Sequence, residues 1–281
     1  MDDIREVQLT GLEILKDIAS FCEERGIRYY LYCGTLLGCI RHGGFIPWDD
    51  DIDLAMPLED FDRFRKEFFT ANRDRYEEGY FTPAKDRYRH LWLQVVRKGT
   101  TYCEKDVLLY DMPHGMYVDV YPLIGIPENN TLKKLQFWLI RFARFMLNGD
   151  EKRFLELKSE GWRSRFDFLY ILPRGFRVTL AKLAVRLSYH SPQKHRRGST
   201  IDGAIFADKY DITIFDDPVK RTFEDGQFYT PKDYDTILRI MYGEYMQLPP
   251  EEKRIPHWRD PVIDMHRDYR EYQKDAAAEI K

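Results

Sequence analysis

The fold is decided by the acidic run Asp49-Asp50-Asp51-Ile52-Asp53, which leads into the apolar residues Leu54-Ala55-Met56. Alternation of acidic and apolar residues predicts a strand over residues 51–56, with Asp51 and Asp53 on one face. Two adjacent carboxylates repel each other unless a cation lies between them, and Mg²⁺ prefers oxygen ligands of this kind. The run therefore predicts a metal site, to which Asp49 adds a ligand. An exposed acidic turn is the alternative.

The residues on either side of the run predict helices and strands in mixed order. Apolar residues at helical spacing predict helices over residues 6–25, 34–41, 58–69 and 232–242. Aromatic and β-branched runs predict further strands over residues 27–32, 91–97 and 116–121. We therefore expect an α+β fold in which a mixed sheet carries the acidic run.

Asp119 is the candidate for a third carboxylate of the site. It lies in the apolar strand pattern Tyr117-Val118-Asp119-Val120-Tyr121. A carboxylate in such a strand is costly to bury unless it is paired or binds a metal ion. We therefore predict that Asp119 joins Asp51 and Asp53, the alternative being a solvated face of the strand.

A glycine-bounded turn, Gly34 to Gly38, precedes the acidic run. It opens a predicted helix, and backbone N–H groups at a helix start can hold phosphate oxygens. The Thr35 hydroxyl adds a donor. The turn therefore predicts a phosphate-binding element, although Gly-Thr turns are common in proteins of other function.

Three side chains between the turn and the acidic run complete the predicted site. Arg41 and His42 are candidates to neutralise a phosphate. Trp48 comes directly before the acidic residues, where it either walls the pocket or packs as an ordinary loop aromatic.

Residues 131–200 form a strongly basic, helix-like segment with 16 Lys and Arg against five Asp and Glu, a net charge of +11 in a chain whose total is -3. Apolar aromatic runs in it are flanked by basic residues, as in helices that lie on an anionic membrane. Two other interpretations remain: binding of an anionic polysaccharide, or helices that pack on the core with a solvated basic face.

Composition argues against several classes of protein. The four cysteines show no C-x-x-C spacing and are too few for a disulfide framework. The N-terminus is polar and no run of about 18 apolar residues is present, so neither a signal peptide nor a spanning helix is predicted. We expect a cytoplasmic protein, at most peripheral at the inner face of a membrane.

The stretch from Tyr32 to Asp53 resembles the signature of the LicD family, which includes bacterial phosphocholine transferases and fukutin-type ribitol-phosphate transferases. The strand around Asp119 and the C-terminal blocks at residues 228–234 and 248–254 also resemble that family. Cys33 and the pair His257-Trp258 depart from its pattern, since members often carry a small residue at the first position and paired histidines at the second.

The resemblance implies a nucleotidyltransferase-like core, a mixed β-sheet flanked by helices with a basic helical insertion. Residues 1–130 would form the catalytic core and residues 131–200 the basic segment for membrane contact, acceptor binding or packing. Residues 201–281 would complete the catalytic domain.

The resemblance also implies Mg²⁺-dependent chemistry, with Mn²⁺ as a substitute. A phospho-alcohol would pass from a CDP-alcohol donor to a hydroxyl of a glycan or lipid-linked glycan, with CMP as leaving group and no nucleic acid partner. By position, Asp51 and Asp53 match the metal ligands, Asp119 matches a third ligand or base, and Gly34 and Thr35 match the donor-phosphate turn.

Three other functions remain open on the sequence. A nucleotidyltransferase would place the nucleotide on the acceptor and release pyrophosphate. A sugar-nucleotide glycosyltransferase, which also uses Asp-x-Asp, would release a nucleoside diphosphate. A non-catalytic binding protein would release nothing, although the full set of acidic residues disfavours it.

Overall fold

The computed structural model describes residues 2–80, 90–148, 172–189, 197–200, 210–256, 258 and 260–279. Within these residues the chain forms the helices α1 (Asp2–Arg25), α2 (Cys33–His42), α3 (Leu58–Ala71), α4 (Asn130–Asn148), α5 (Arg174–Ser188), α6 (Tyr234–Tyr242) and α7 (Tyr269–Glu279). The strands of the main sheet are β1 (Tyr30–Leu31), β2 (Asp53–Pro57), β3 (Tyr76–Gly79), β4 (Leu93–Arg97), β6 (Tyr117–Ile126), β7 (Arg197–Thr200) and β8 (Tyr210–Asp211). Two separate antiparallel pairs are formed by β5 (Thr101–Glu104) with β11 (Pro261–Asp264), and by β9 (Val219–Phe223) with β10 (Gly226–Thr230).

The main sheet has the strand order β1-β2-β6-β4-β3, with β7 on the second half of β6 and β8 on β7. The β2–β6 pair is parallel and the other pairs are antiparallel. The predicted α+β class with a mixed sheet is therefore confirmed. Because β2 and β6 are neighbours, the end of the acidic run lies directly beside the strand that carries Asp119.

Helices α1 and α3 cover the sheet with a core of aromatic and aliphatic side chains. Phe21 of α1 packs edge-on against Phe68 of α3 at 5.1 Å between ring centroids, and Phe64 stacks on Phe68 at 4.8 Å. Burial of each such side chain contributes about 1.5–3 kcal/mol. The sheet that carries the acidic run is therefore firmly supported from this side.

The strand that carries the acidic run begins later than the alternation predicts. β2 starts at Asp53, and Asp51 lies in the preceding connection. The backbone of that connection is already in use, because the Asp49 N–H donates to the Ile46 carbonyl in a turn. Strand β1 is likewise only two residues long, against the predicted residues 27–32, because it pairs with β2 only over Tyr30 and Leu31.

The basic segment contributes two helices and one strand to the described structure. Helices α4 and α5 pack against each other, and the Gln136 side chain ties them to the sheet by donating to the carbonyls of Gly125 and Ser188 at 2.9 and 2.8 Å. Residues 149–171 and 190–196 of the predicted segment lie outside the described residues. The division at residues 130 and 200 stays a prediction. Among the described helices, none has the length and apolar character needed to cross a membrane.

Candidate active site

The centre of the site is a row of polar side chains across three neighbouring strands. In the parallel β2–β6 pair Asp53 stands opposite Asp119, and in the antiparallel β4–β6 pair Gln94 stands opposite Asp119. All three side chains are buried. In the described structure, one carboxylate oxygen of Asp53 and one of Asp119, Oδ1 in each case, have no hydrogen-bond partner. The sheet thus holds two adjacent carboxylates with unsatisfied oxygens.

Burial and like charges make ionisation of this pair of carboxylates unfavourable. Burial, followed by the charges of Asp51 and Asp119, raises the pKa of Asp53 well above its ordinary value. Burial raises the pKa of Asp119 to about 8, against an opposing hydrogen bond from Gln94. Desolvation and like charge both disfavour the ionised form. Without a cation, both carboxylates therefore lose their protons less readily than ordinary carboxylates do.

The donor chemistry of the pair fits a divalent cation. Unsatisfied carboxylate oxygens on adjacent strands are hard ligands, and a divalent charge would offset the repulsion that raises both pKa values. No group of three or more His, Cys, Asp or Glu side chains in the described part of the chain forms a complete metal site. Mg²⁺ commonly binds through one or two carboxylates and completes its shell with water and substrate phosphates. The arrangement therefore suits a metal that binds together with a phosphate substrate.

A cavity of about 400 Å³ opens beside the pair and gathers most of the predicted residues. Six predicted residues line it: Gly34, Arg41, Trp48, Asp49, Asp51 and Asp53. Asp51 therefore reaches the cavity from the connection before β2 rather than from the strand face. Trp48 forms part of the wall, and the Arg254 guanidinium lies 5.8 Å from its ring centroid.

The N-terminus of α2 opens at this cavity. Cys33 and Gly34 both line it, and the side chain of the N-cap residue Tyr32 makes no capping hydrogen bond to the helix start. A Cβ atom on Gly34 would come within 2.7 Å of Asp49 Oδ2, so glycine allows that carboxylate its close approach. Cys33 has a φ of 44°, a conformation that favours glycine and explains why a small residue suits this position. N–H groups at a helix start suit the predicted contact with phosphate oxygens.

Thr35 connects α2 to the acidic strand. Its hydroxyl accepts a buried hydrogen bond of 2.8 Å from the backbone N–H of Asp53. The Thr35 side chain thus sets where β2 begins relative to α2. Thr35 is not among the residues that line the cavity, and its predicted donation to phosphate stays a prediction.

Replacement of Thr35 by Val is expected to destabilise the protein by about 1–3 kcal/mol, because the buried Asp53 N–H loses its acceptor while the side-chain shape is kept. Thr35→Ser keeps the hydroxyl and serves as the matched control. The free energy of unfolding in urea measures both. Equal stability of Thr35→Val and wild type would contradict the role assigned to this hydroxyl.

Besides Thr35, three predicted residues do not line the cavity: Asp119, which stands opposite Asp53 on the sheet, and Gly38 and His42 on α2. Gly38 is buried inside α2, where an added Cβ would come within 2.5 Å of the Gly44 carbonyl oxygen, so this glycine allows the loop before the acidic run to pack on the helix. His42 is exposed in the last turn of α2, with its ring centroid 6.5 Å from that of Trp48. Neither lines the cavity.

The C-terminal part of the chain closes the cavity from the other side. Arg41 Nη1 donates to the carbonyl oxygen of Tyr245 at 2.7 Å. Tyr242, Tyr245 and Gln247 of this part of the chain line the cavity. Arg41 therefore orders the loop after α6 as well as placing a positive charge near Asp49.

Asp50 points away from the first cavity. Its carboxylate accepts a hydrogen bond from the Tyr102 hydroxyl and lines a second cavity on the other side of the acidic run. The run thus divides its carboxylates, with Asp49, Asp51 and Asp53 on one side and Asp50 on the other.

Sequence reasoning missed several residues that shape the site. Gln94 could have been found from the sequence, because it is a polar residue in an apolar strand, as Asp119 is. Gln8 could also have been found: it lies among the apolar residues of α1, is buried, and donates to the carbonyl of Asp49 at 2.9 Å. Tyr242 and Tyr245 had no local signal, because only the fold brings them to the cavity.

Comparison with known proteins bears on the resemblance that the sequence predicts. Residues 26–146 match the family model described as the LicD/FKTN/FKRP nucleotidyltransferase domain. This range includes α2, the acidic run and Asp119. The predicted resemblance to the LicD family is therefore confirmed.

Individual relatives agree with this assignment. The chain is 26% identical to the lipopolysaccharide cholinephosphotransferase LicD of Haemophilus influenzae, over 90% of this chain and 95% of that protein. Human ribitol 5-phosphate transferase FKRP is 48% identical over 48 residues, which are 17% of this chain and 10% of FKRP. An uncharacterized protein of Rickettsia typhi is 39% identical over 58 residues, or 21% of this chain and 19% of that protein.

Proposed function

We propose that the protein is a phosphotransferase that moves a phospho-alcohol group from a CDP-activated donor to a hydroxyl of a glycan, and releases CMP. The observation that carries this proposal is the buried Asp53–Asp119 pair, with two unsatisfied oxygens, beside a cavity at the N-terminus of α2. The names of the Haemophilus cholinephosphotransferase and of ribitol 5-phosphate transferase both describe transfer of a phosphate that carries an alcohol.

The reaction forms one phosphorus–oxygen bond and breaks another. The acceptor hydroxyl oxygen attacks the phosphorus that carries the alcohol, the bond from that phosphorus to the bridging oxygen breaks, and CMP leaves with the bonding electron pair. Such a transfer asks a protein mainly for positioning and charge neutralisation.

The residues divide this work between them. Asp53 and Asp119, which stand opposite each other on the sheet, would hold Mg²⁺, and the ion would supply charge neutralisation on the donor phosphates. Asp49 and Asp51 line the cavity beside Asp53 and would add negative charge around the ion. The first N–H groups of α2 hold donor oxygens, and Arg41 adds a positive charge. Asp119 has two roles open to it: a second ligand, or the base that accepts the hydroxyl proton.

The identity of the released nucleotide tests the proposal. Purified protein is incubated with Mg²⁺ and CDP-choline, CDP-ribitol or CDP-glycerol, and in parallel with CTP or a sugar nucleotide, in each case with a glycan acceptor. We expect CMP from at least one CDP-alcohol. Pyrophosphate from CTP would support the nucleotidyltransferase instead, a nucleoside diphosphate from the sugar nucleotide would support the glycosyltransferase, and no product would favour a binding protein.

We further propose that α4 and α5 lie on an anionic membrane surface, as suits a lipid-linked acceptor. Large apolar side chains point outwards from both helices, including Trp138 at 61% and Leu183 at 53% exposure. On α5 the exposed apolar stripe is formed by Phe176, Leu183 and Leu187, on the face opposite Val178 and Ala181. The two helices together contain eight Lys and Arg and no Asp or Glu. Apolar stripes with basic flanks are typical of interfacial helices.

Removal of two flanking charges, in Lys182→Gln with Arg186→Gln, is expected to weaken binding to anionic vesicles by about 2 kcal/mol. Co-sedimentation with phosphatidylglycerol-containing vesicles, against pure phosphatidylcholine, measures the effect. Lys232→Gln with Lys253→Gln serves as a control outside the two helices. If the wild type fails to sediment with anionic vesicles, the helices instead present a solvated face or bind another partner. The predicted cytoplasmic location remains a prediction.

A further inference from the structure

A short segment after α6, residues 243–249, forms one wall of the first cavity, and we name it the strap. Met246 and Leu248 of the strap are exposed at 61% and 49%. The residues that alternate with them face inwards, so that four strap residues line the cavity: Glu244, Tyr245, Gln247 and Pro249. The strap is therefore a thin wall with the cavity on one side and solvent on the other.

The strap begins at a glycine whose backbone conformation suits no other residue. Gly243 has a φ of 64° and a ψ of −121°, a region that is open to glycine and strained for residues with a Cβ atom. An added Cβ would meet no atom of the described residues within 4 Å, so the backbone angles alone require glycine here. Gly243 thus sets the direction in which the strap leaves α6.

Two arginines hold the strap in place. Arg41 Nη1 donates to the carbonyl oxygens of Tyr245 and Gln247 at 2.7 and 3.4 Å. Arg239 Nη1 donates to the Glu244 carboxylate at 3.2 Å. Arg41 lines the cavity and Arg239 does not. Of these two side chains, Arg41 is therefore the one that a ligand in the cavity can contact directly.

Arg41 has donors left for such a ligand. Its three hydrogen bonds to described residues use Nε and Nη1, which leaves both N–H groups of Nη2. Among the described residues that line the cavity, Arg41 is also the one Lys or Arg. A guanidinium binds phosphate oxygens through N–H groups held in a fixed planar fork. A phosphate in the cavity would therefore fix the same side chain that holds the strap.

We propose that Arg41 couples the binding of a diphosphate in the first cavity to closure of the strap. Nη2 binds a phosphate oxygen while Nη1 keeps the carbonyl oxygens of Tyr245 and Gln247, so one rigid guanidinium joins ligand and strap. The inference rests on the proposed function, which places the donor diphosphate in this cavity. A closed strap excludes water from the transferred phosphate, so that an acceptor hydroxyl attacks it in preference to water.

Hydrogen exchange of the strap amides tests the coupling directly. The full-length protein is measured with Mg²⁺ alone and with Mg²⁺ and saturating CDP. In the wild type, CDP is expected to slow exchange in the strap about tenfold, a common strength of coupling between two sites. Arg41→Lys keeps a positive charge but lacks the planar fork, and is expected to lose this protection. Arg239→Lys is the matched control and should keep it.

Because coupling between two sites is reciprocal, the strap should also affect the ligand. Gly243→Ala strains the start of the strap at a residue that does not line the cavity, and is expected to weaken CDP binding about fivefold in calorimetry. This variant also serves if Arg41→Lys fails to fold.

A second glycine separates this effect from simple loss of stability. Gly26 follows α1, has a φ of 62°, and an added Cβ there would again meet no described atom within 4 Å. Gly26→Ala should therefore lose about as much stability as Gly243→Ala and keep the wild-type affinity for CDP. Equal affinity for CDP in Gly243→Ala and the wild type would overturn the inference.

The coupling and the proposed function fail in different ways. CDP binding and CMP release with unchanged exchange in the strap would remove the coupling and leave the transferase. Slower exchange in the strap with CDP, but no CMP from any CDP-alcohol, would leave the coupling and remove the transferase. A wild-type protein that binds no CDP would overturn both.

Discussion

Asp53→Asn is expected to lower the rate of CMP release about a thousandfold, the scale on which loss of a key electrostatic group acts in active sites. The substitution keeps the shape of the side chain and removes one charge from the pair with Asp119. Under the proposed mechanism, the site would then lose its hold on a divalent cation, and the charge on the departing CMP would no longer be offset. Chromatography of the nucleotide product at saturating donor measures the effect.

Folding of the variant provides the necessary control. Because burial and the neighbouring carboxylates disfavour the ionised form of Asp53, the metal-free Asn variant should be at least as stable as the wild type. Asp217→Asn, an Asp to Asn change at a side chain with 84% exposure, should leave turnover unchanged. Turnover near the wild-type rate in folded Asp53→Asn would refute the proposed mechanism.

Asp119→Asn separates the two roles open to that residue. If Asp119 is a ligand, the variant loses both metal binding and turnover. If Asp119 is the base, the variant keeps metal binding and loses turnover, and the pH profile of the remaining rate changes. Full turnover in Asp119→Asn would exclude both roles.

The metal-free protein is expected to lose stability as the pH rises from about 4 to about 8. The pKa of Asp119 rises from 3.8 to about 8 on folding, so the folded state binds more protons than the unfolded state in this window. Stability therefore falls with rising pH for this group. The free energy of unfolding in EDTA, measured at pH 5 and pH 8 for the wild type and Asp119→Asn, isolates the contribution.

Two outcomes bear on this expectation. The difference in stability between Asp119→Asn and the wild type should grow in favour of the variant from pH 5 to pH 8. Added Mg²⁺ should stabilise the wild type more at pH 8 than at pH 5, because it binds the ionised carboxylates. If the difference in free energy of unfolding between the two proteins did not change with pH, the raised pKa assigned to Asp119 would be contradicted.

The centre of the site could be predicted from the sequence because its residues break local rules. Asp53 and Asp119 are carboxylates within apolar strand patterns, and such residues require a partner. What could not be predicted was their register. Asp51 was expected on the strand with Asp53, but β2 begins at Asp53, and the carboxylate beside it on the sheet is that of Asp119, 66 residues later in the chain.

The roles of Thr35 and Gly38 depend on tertiary contacts. Both residues lie in the predicted turn, yet Thr35 bonds to the backbone of Asp53 and Gly38 makes room for the Gly44 carbonyl. A sequence shows which residues suit a turn but not which later segment packs on it. The wall formed by Tyr242 and Tyr245 was unpredictable for the same reason.

The basic segment illustrates a different difficulty. Helix α5 has one apolar face in the core and a second apolar face that is exposed. Its sequence therefore does not show the single apolar stripe of an ordinary amphipathic helix. Only the packing of α5 on α4 shows which face remains outside.

Binding of Mn²⁺, followed by electron paramagnetic resonance with and without CDP-choline, tests the central claim most directly. The wild type is expected to bind Mn²⁺ more tightly when the donor is present, because donor phosphates complete a shell that the carboxylates begin. Asp53→Asn should lose this binding, and Asp217→Asn should keep it. If the wild type binds no Mn²⁺ in the presence of any CDP-alcohol, or if Asp53→Asn binds it equally well, the Asp53–Asp119 pair is not the metal site of a phosphotransferase.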